Sequence, residues 1–368
     1  MYGLPGRITY IIPLEGRQMS VNHIRTCETV YKEVSIGEFI CETGERLPEV
    51  TLAYEQAGNQ NAPLLLICHA LTGNQYTVGT EEEPGWWRGL FGKEGIVPEE
   101  EFQTVTFNVL GGCHGSTGPA SVNPENGEVY RLDFPSITIR DIVRAQKRAL
   151  EVLGFTHIHA VLGGSLGGMQ VYEWGLMYPD AMDKLFILAS TPALSDYGIA
   201  FNHIGGEAIK RDPQWKNGNY QSNEDLDGFE LARMTGMVTY RSRSLFHQRF
   251  NRRQNEENYH IQSYLDYQGK KIKKRFDANS YLYLLDAMNH HDITRNRGTL
   301  EETAQQYSAD VYTMSFEKDL VYPKESMEEF SLLAPHALHF HIDTEFGHDG
   351  FLVEFDKWGE FIRYHLLV

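Results

Sequence analysis

The stretch THIHAVLGGSLGGMQVYEW, residues 156–174, decides the fold. Its first part, THIHAVLGGS, is a short apolar run ending in glycine and reads as a strand. The continuation MQVYEWGLMY, residues 169–178, reads as a helix that starts at once. Between them stands Gly163-Gly164-Ser165-Leu166-Gly167-Gly168, a G-x-S-x-G pattern. A serine on so tight a strand-to-helix turn has a strained backbone, and its neighbours two residues away must be small. Its hydroxyl then projects above the sheet, with the backbone N–H of Leu166 and the helix N-terminus beside any developing oxyanion. The plainer reading is a Gly-rich turn that only packs a helix on a strand. The strand–turn–helix context favours a nucleophile.

Outward from this turn, strands alternate with helices. Toward the N-terminus, Ile139–Leu153 reads as a helix with Ile142, Ala145, Ala149 and Val152 near one face, and Thr138 with Asp141 as its capping box. FQTVTFNVL (102–110) and PLLLICHA (63–70) are continuous apolar runs, as expected of strands buried on both faces. The first of these runs leads into the Gly-rich loop GGCHGSTGPAS. From about Ser35 to Gln56, EFICE and EVTLAYEQ read as two strands joined around TGERLP. Toward the C-terminus, KLFILAS (184–190) is a further strand, and then the alternation stops near Thr191. Residues 192–307 are polar, rich in Asn, Arg and Tyr, and helical in pattern. DVYTMSF (310–316) and ALHFHID (337–343) read as two late strands. The expectation is an α/β fold, a mostly parallel sheet flanked by helices, with an inserted helical lid domain. The core takes 35–191 and 308–368, the lid 192–307, and residues 1–34 form an N-terminal extension in which Met19 is an alternative start.

Composition narrows the partners. The chain has 368 residues, 33 basic and 50 acidic, for a formal charge of −17. That balance argues against nucleic acid or an anionic membrane surface as the main partner. No apolar run approaches the roughly 18–20 residues that span a bilayer. The N-terminal apolar patch is broken by proline with no small-residue cleavage site after it, so the expected location is cytoplasmic. Cys27, Cys41, Cys68 and Cys113 are scattered, without metal-ligand spacing, and read as free thiols in a reducing compartment.

A nucleophilic serine needs a general base, and the base needs an orienting carboxylate. In the α/β-hydrolase fold the chain order is Ser, then Asp or Glu, then His. His348, in EFGHDGF after the last predicted strand, is the candidate base. Asp319, in FEKDLVYP after the penultimate strand, is the candidate carboxylate, with Glu317 as its competitor. The loop CHALTG follows the first buried strand, where the second oxyanion N–H is expected, and Leu71 is the candidate donor beside Leu166. His157 with His159, and His290-His291-Asp292, imitate metal sites but offer no third ligand at a recognisable spacing, so no metal is expected.

CHALTGN, PGWWRGLFG, NVLGGCHGSTGPAS, FPSITIRDIV, GGSLGGMQVYEW and FGHDGFL together resemble the homoserine O-acetyltransferases, from about Phe39 to near the C-terminus. The resemblance implies acetyl transfer from acetyl-CoA, as co-substrate, to the side-chain hydroxyl of L-homoserine in methionine biosynthesis, with no permanently bound cofactor. It implies Ser165 as nucleophile, Asp319 and His348 as its partners, and Leu71 and Leu166 as oxyanion donors. The family usually has methionine where this chain has Leu166, a change that leaves a backbone N–H in place. It also implies that a lid arginine and tyrosine, here Arg233 and Tyr240 in LARMTGMVTYRS, hold the amino acid together with Asp349. Arginine suits a carboxylate through paired hydrogen bonds, and a carboxylate suits an ammonium. On the residues alone Arg233 reads as a helix-surface charge and Tyr240 as a core aromatic.

The same apparatus serves a serine esterase, and pocket shape decides between acetyl and succinyl donors and between homoserine and serine acceptors. A non-catalytic binding protein on this fold is a further reading, opposed by the presence of every catalytic part. Lid cations Arg241, Arg243, Arg249, Arg252, Arg253, Lys270, Lys271, Lys273, Lys274 and Arg275 are candidates for steering the anionic coenzyme, against the plainer reading of a solvated helix face. A homodimer built through the lid is what the family resemblance implies.

Overall fold

A computed structural model describes residues 29–368; Met19, Cys27 and most of the expected N-terminal extension lie outside the described residues. Among these, eight strands form one sheet: β1 Val30–Ile40, β2 Arg46–Gly58, β3 Leu64–Cys68, β4 Gln103–Phe107, β5 Ile158–Gly164, β6 Met182–Leu188, β7 Asp310–Phe316 and β8 Ala337–Ile342. Their spatial order is β1-β2-β4-β3-β5-β6-β7-β8. The first three in that order pair antiparallel, and all later neighbours pair parallel. β1 begins at Val30, paired with Gln56, so residues 30–34 are sheet and the boundary expected at residue 34 moves back. The signal was weak because β1 is an edge strand whose outward positions are charged or exposed. The β1–β2 turn is also tighter than expected. Cys41 N–H donates to Glu45 O at 2.8 Å, and Leu47 and Pro48 already belong to β2.

The helices are α1 Arg88–Phe91, α2 Ile139–Val152, α3 Leu166–Met177, α4 Asp196–Lys210, α5 Asp227–Tyr240, α6 Arg243–Phe250, α7 His260–Arg275, α8 Ala278–Asn289, α9 Leu300–Ala304, α10 Lys324–Leu333, α11 Gly350–Val353 and α12 Phe355–Leu367. Helices α4 to α9 all fall between β6 and β7 in the chain.

The central strands read as continuous apolar runs because both of their faces are covered. Successive side chains alternate sides. Leu64, Leu66, Val161, Leu185 and Ile187 join the layer that contains Ile142 and Ala145 of α2 and Met169 of α3. Leu65, Ile67, Leu162, Phe186 and Leu188 join the opposite layer with Trp87, Leu90, Trp358 and Ile362. Each such side chain contributes roughly 1.5–3 kcal/mol on burial, which anchors the strand ends that carry the site.

The capping box of α2 is present. Thr138 Oγ1 accepts from Asp141 N–H at 3.2 Å, and Asp141 Oδ2 accepts from Thr138 N–H at 3.0 Å. Asp141 Oδ1 also accepts from Glu42 N–H at 2.8 Å, tying the helix start to the β1–β2 turn. Among the described residues no helix is long and apolar enough to cross a membrane.

Candidate active site

Ser165 is the single residue between β5 and α3, and its backbone sits at φ +59° and ψ −125°. That is a strained position for any residue with a Cβ. The glycines around it are there for space. A Cβ on Gly167 would lie 2.1 Å from the carbonyl oxygen of Cys68, and one on Gly164 would lie 2.4 Å from the Phe351 ring. The close approach at Gly167 draws the start of α3 against the end of β3. It thereby brings the loop after β3, with Leu71, to the serine; Leu71 and Ser165 line one cavity. Leu166 is the first residue of α3, so its N–H belongs to a turn without intrahelical acceptors.

His69 braces the Leu71 loop. Its ring is fully buried, Nδ1 donates to Ala70 O at 2.8 Å, and Nε2 accepts from Val109 N–H at 3.1 Å. Burial holds its pKa down to about 4, so it is neutral, as this bonding pattern requires.

The candidate base and its candidate carboxylate come from the two late strands. Asp319 follows β7, and its Oδ1 accepts from the N–H groups of Val321 at 2.8 Å and Tyr322 at 3.1 Å. Its Oδ2 meets His348 Nδ1 at 2.7 Å. With Nδ1 donating, Nε2 is left as the proton acceptor. Glu317 is turned elsewhere, toward His341 Nε2 at 2.7 Å. Burial disfavours the charged imidazole of His348, but the Asp319 carboxylate, the hydrogen bond to it and the Asp349 charge outweigh burial, so its pKa is raised. The Ser165 hydroxyl donates to Tyr322 Oη, at a long 3.4 Å, and not to His348. Tyr322 is a site residue that sequence reasoning missed; nothing in DLVYP distinguishes it from a core aromatic.

Arg233 and Tyr240 stand two turns apart on α5, with the guanidinium over the ring at 5.8 Å. Among the described residues Arg233 has no carboxylate partner. It lines a cavity of about 1040 Å³ together with Ser165, Tyr240, His348 and Asp349. Burial raises the Tyr240 hydroxyl, with Arg233 pulling it down and Asp349 pushing it up. Asp349 itself is paired with Arg241, Nε to Oδ2 at 2.9 Å.

The candidate steering cations sort by place. Lys271 and Arg275 line the cavity, and Arg275 also donates to Thr72 Oγ1 at 3.2 Å. Burial, with the neighbouring Arg233 charge, lowers the Arg275 guanidinium to about 10. The others do not line the cavity. Arg241 is held by Asp349, Lys273 is buried against Glu230, Arg249 lies over Tyr264 and Arg252 over Tyr259. Arg243 lines a separate surface recess with His247 and Lys318, Arg253 donates to Phe250 O, and Lys270 and Lys274 are exposed. His157 and His159 share Asp183, and His290 bonds Asp286 O. Among the described residues no three His, Cys, Asp or Glu side chains are grouped to hold a metal ion.

Residues 63–355 match the family described as alpha/beta hydrolase fold. The homoserine O-acetyltransferase of Symbiobacterium thermophilum is 41% identical to this chain over 357 residues, covering 90% of this chain and 93% of that protein. The solved homoserine O-acetyltransferase from Staphylococcus aureus is 35% identical with a TM-score of 0.79, covering 93% of this chain and 96% of that one. The solved esterase E22, at 23% identity and a TM-score of 0.84, covers 92% of this chain and all of its own, and shares the fold.

Proposed function

This chain belongs to the homoserine O-acetyltransferase family, and we propose that it transfers an acetyl group from acetyl-CoA to the hydroxyl of L-homoserine through an acetyl-Ser165 intermediate, as a step of methionine biosynthesis. One observation carries the reading. His348, held by Asp319 at 2.7 Å, lines the same cavity as the strained Ser165 and Arg233, whose guanidinium has no carboxylate partner among the described residues.

In the first half-reaction Ser165 Oγ turns from Tyr322 to His348, loses its proton to Nε2 and attacks the thioester carbonyl carbon. The N–H groups of Leu71 and Leu166 receive the oxyanion. The carbon–sulfur bond breaks, and His348 returns the proton to the departing sulfur. In the second, Arg233 grips the homoserine carboxylate while Asp349 and Tyr240 hold its ammonium. The homoserine hydroxyl gives its proton to His348 and attacks the acetyl carbon, and Ser165 leaves with the proton. Arg241, by holding Asp349 Oδ2, fixes the direction of that carboxylate. Lys271 and Arg275 favour the anionic coenzyme in a cavity large enough for a long thioester arm.

A helical lid over residues 192–307 shields the acyl-enzyme from water in this scheme, and the enzyme works in the cytoplasm as a homodimer. The dimer is supported by an exposed apolar face across neighbouring helices α4 and α5: Tyr197 and Ile204 on one, Leu231 and Val238 on the other.

The deciding experiment follows free thiol released from acetyl-CoA with and without L-homoserine. A stoichiometric burst that becomes sustained turnover only with homoserine is expected, and Ser165→Ala should lose the burst. Sustained release without homoserine would make water the acceptor and the protein an esterase.

A further inference from the structure

Ser165 stands where two cavities meet. Leu71, Ser165 and Tyr240 line both the large cavity described above and a second pocket of about 30 Å³. This second space is small beside the large cavity, about 30 Å³ against about 1040 Å³. Its apolar wall is Leu194, Phe201, Met288 and Val321, and no charged side chain lines it. Its polar side chains are mostly spent on neighbours. Asn202 Nδ2 donates to Asn289 Oδ1 at 2.8 Å, and the hydroxyls of Thr235 and Thr239 donate to the carbonyls of Leu231 and Gly236. Tyr322 also lines it, with its Oη 3.4 Å from Ser165 Oγ.

We propose that this pocket receives the acyl group once it is bound to Ser165, and that Phe201 and Met288 are the residues that limit its length. The inference rests on Ser165 being the acylated residue, as proposed above, and adds where the acyl chain goes and what it excludes. When Oγ bonds the carbonyl carbon and the thiol departs with its proton, an acetyl group has one methyl left to place, which this volume accepts. A butyryl group has two further carbons to place. A succinyl group ends in a carboxylate, and an uncompensated charge in an apolar enclosure is far more costly than a clash alone. Volume and charge therefore discriminate independently, the first against longer neutral donors and the second against acidic ones.

The test uses the full-length enzyme without acceptor, incubated with acetyl-, butyryl- or succinyl-CoA. Acyl-enzyme is read by intact-protein mass and by the rate of thiol release. Acetyl-CoA is expected to exceed butyryl-CoA by at least about 10-fold per added methylene, the lower end of what an apolar pocket delivers, with no succinyl-enzyme formed. Met288→Ala and Phe201→Ala, each checked for retained acylation by acetyl-CoA, should narrow the acetyl-over-butyryl ratio while still refusing succinyl-CoA. Phe201 is only half-buried, so its variant keeps the test open if Met288→Ala fails to fold. Comparable acylation of the wild type by butyryl- or succinyl-CoA would overturn the pocket assignment while leaving Ser165 as nucleophile. An unchanged ratio in folded variants would overturn it equally. Absence of acyl-enzyme with every donor would instead remove the Ser165 intermediate, and this inference with it.

Discussion

At Ser165 and His348 the two halves of the proposed proton relay are built separately. Asp319 locks the imidazole at 2.7 Å, while the serine hydroxyl rests on Tyr322 at 3.4 Å. Asp319→Asn should therefore misplace the His348 proton and lower kcat by roughly 10⁴-fold, as in comparable triads. Glu317→Gln, which touches His341 instead, should leave steady-state turnover unchanged. The pH profile follows from charge. His348 acts as a base only when neutral, and its pKa is raised above the ordinary 6.5, so kcat/KM should fall as pH drops through a limb above that value. The stability that its protonated form contributes has the opposite dependence: it is present at low pH and lost as pH rises through the same raised pKa. Asp349→Asn removes one of the charges that raise it, so the acid limb of the free enzyme should move to lower pH. A limb that stays in place would show that Asp349 does not act on His348 electrostatically.

Between residues and the whole, the decisive element is the β5–α3 turn. A methyl group on Gly167 has nowhere to go, since the Cys68 carbonyl would be 2.1 Å away. Gly167→Ala should push α3 off the end of β3 and separate the Leu166 and Leu71 N–H groups. The expected loss is about 3 kcal/mol of transition-state stabilisation, the cost of one oxyanion donor, measured as a fall in kcat with the fold retained by circular dichroism. The start of α2 offers a contrast. Thr138→Ala removes half of a capping box that lines neither cavity at Ser165, and should cost about 1 kcal/mol of stability, read from the denaturant midpoint, with turnover intact. Glu173 of α3 is a third kind of contact. It is buried between Arg140 of α2, at 3.1 Å, and Arg297, at 2.6 Å, and so ties α3 to the chain returning from the helical block.

For the whole molecule the net charge of −17 and the local charge point in opposite directions. Lys271 and Arg275 put positive charge on the wall of the large cavity. Lys271→Glu should raise KM for acetyl-CoA severalfold while kcat holds, and added salt should shrink that difference, because exposed charges are screened within about 10 Å at 0.1 M ionic strength. The apolar face of α4 and α5 makes a separate prediction. Ile204→Asp places a charge on it and should shift the proposed dimer to monomer in sedimentation velocity. A wild type that sediments as a monomer would remove the dimer from the proposal.

Much of the architecture was legible because its signals are short-range. Continuous apolar runs marked β3 and β4, period-3.6 spacing and a capping box marked α2, and the glycines around Ser165 marked a turn that only small residues allow. The edge strand β1 was read short, since half its positions face solvent and carry the charges of a loop. The motif order along the chain singled out Ser165, Asp319 and His348 as candidates, and resemblance added Arg233, Tyr240 and Asp349. What sequence left open is everything that depends on distance between remote residues. Glu317 and Asp319 were alternatives until their side chains were seen to face His341 and His348. Arg241 was one cation among ten until it met Asp349, 108 residues away. Tyr322 carried no pattern at all, and the small pocket beside Ser165 is a volume bounded by residues scattered from Leu71 to Tyr322. Local backbone preference and periodicity are written residue by residue and so can be read from the chain. A side chain's partner and a cavity's size are set by packing across the sheet, where a shift of one ångström decides between contact and none.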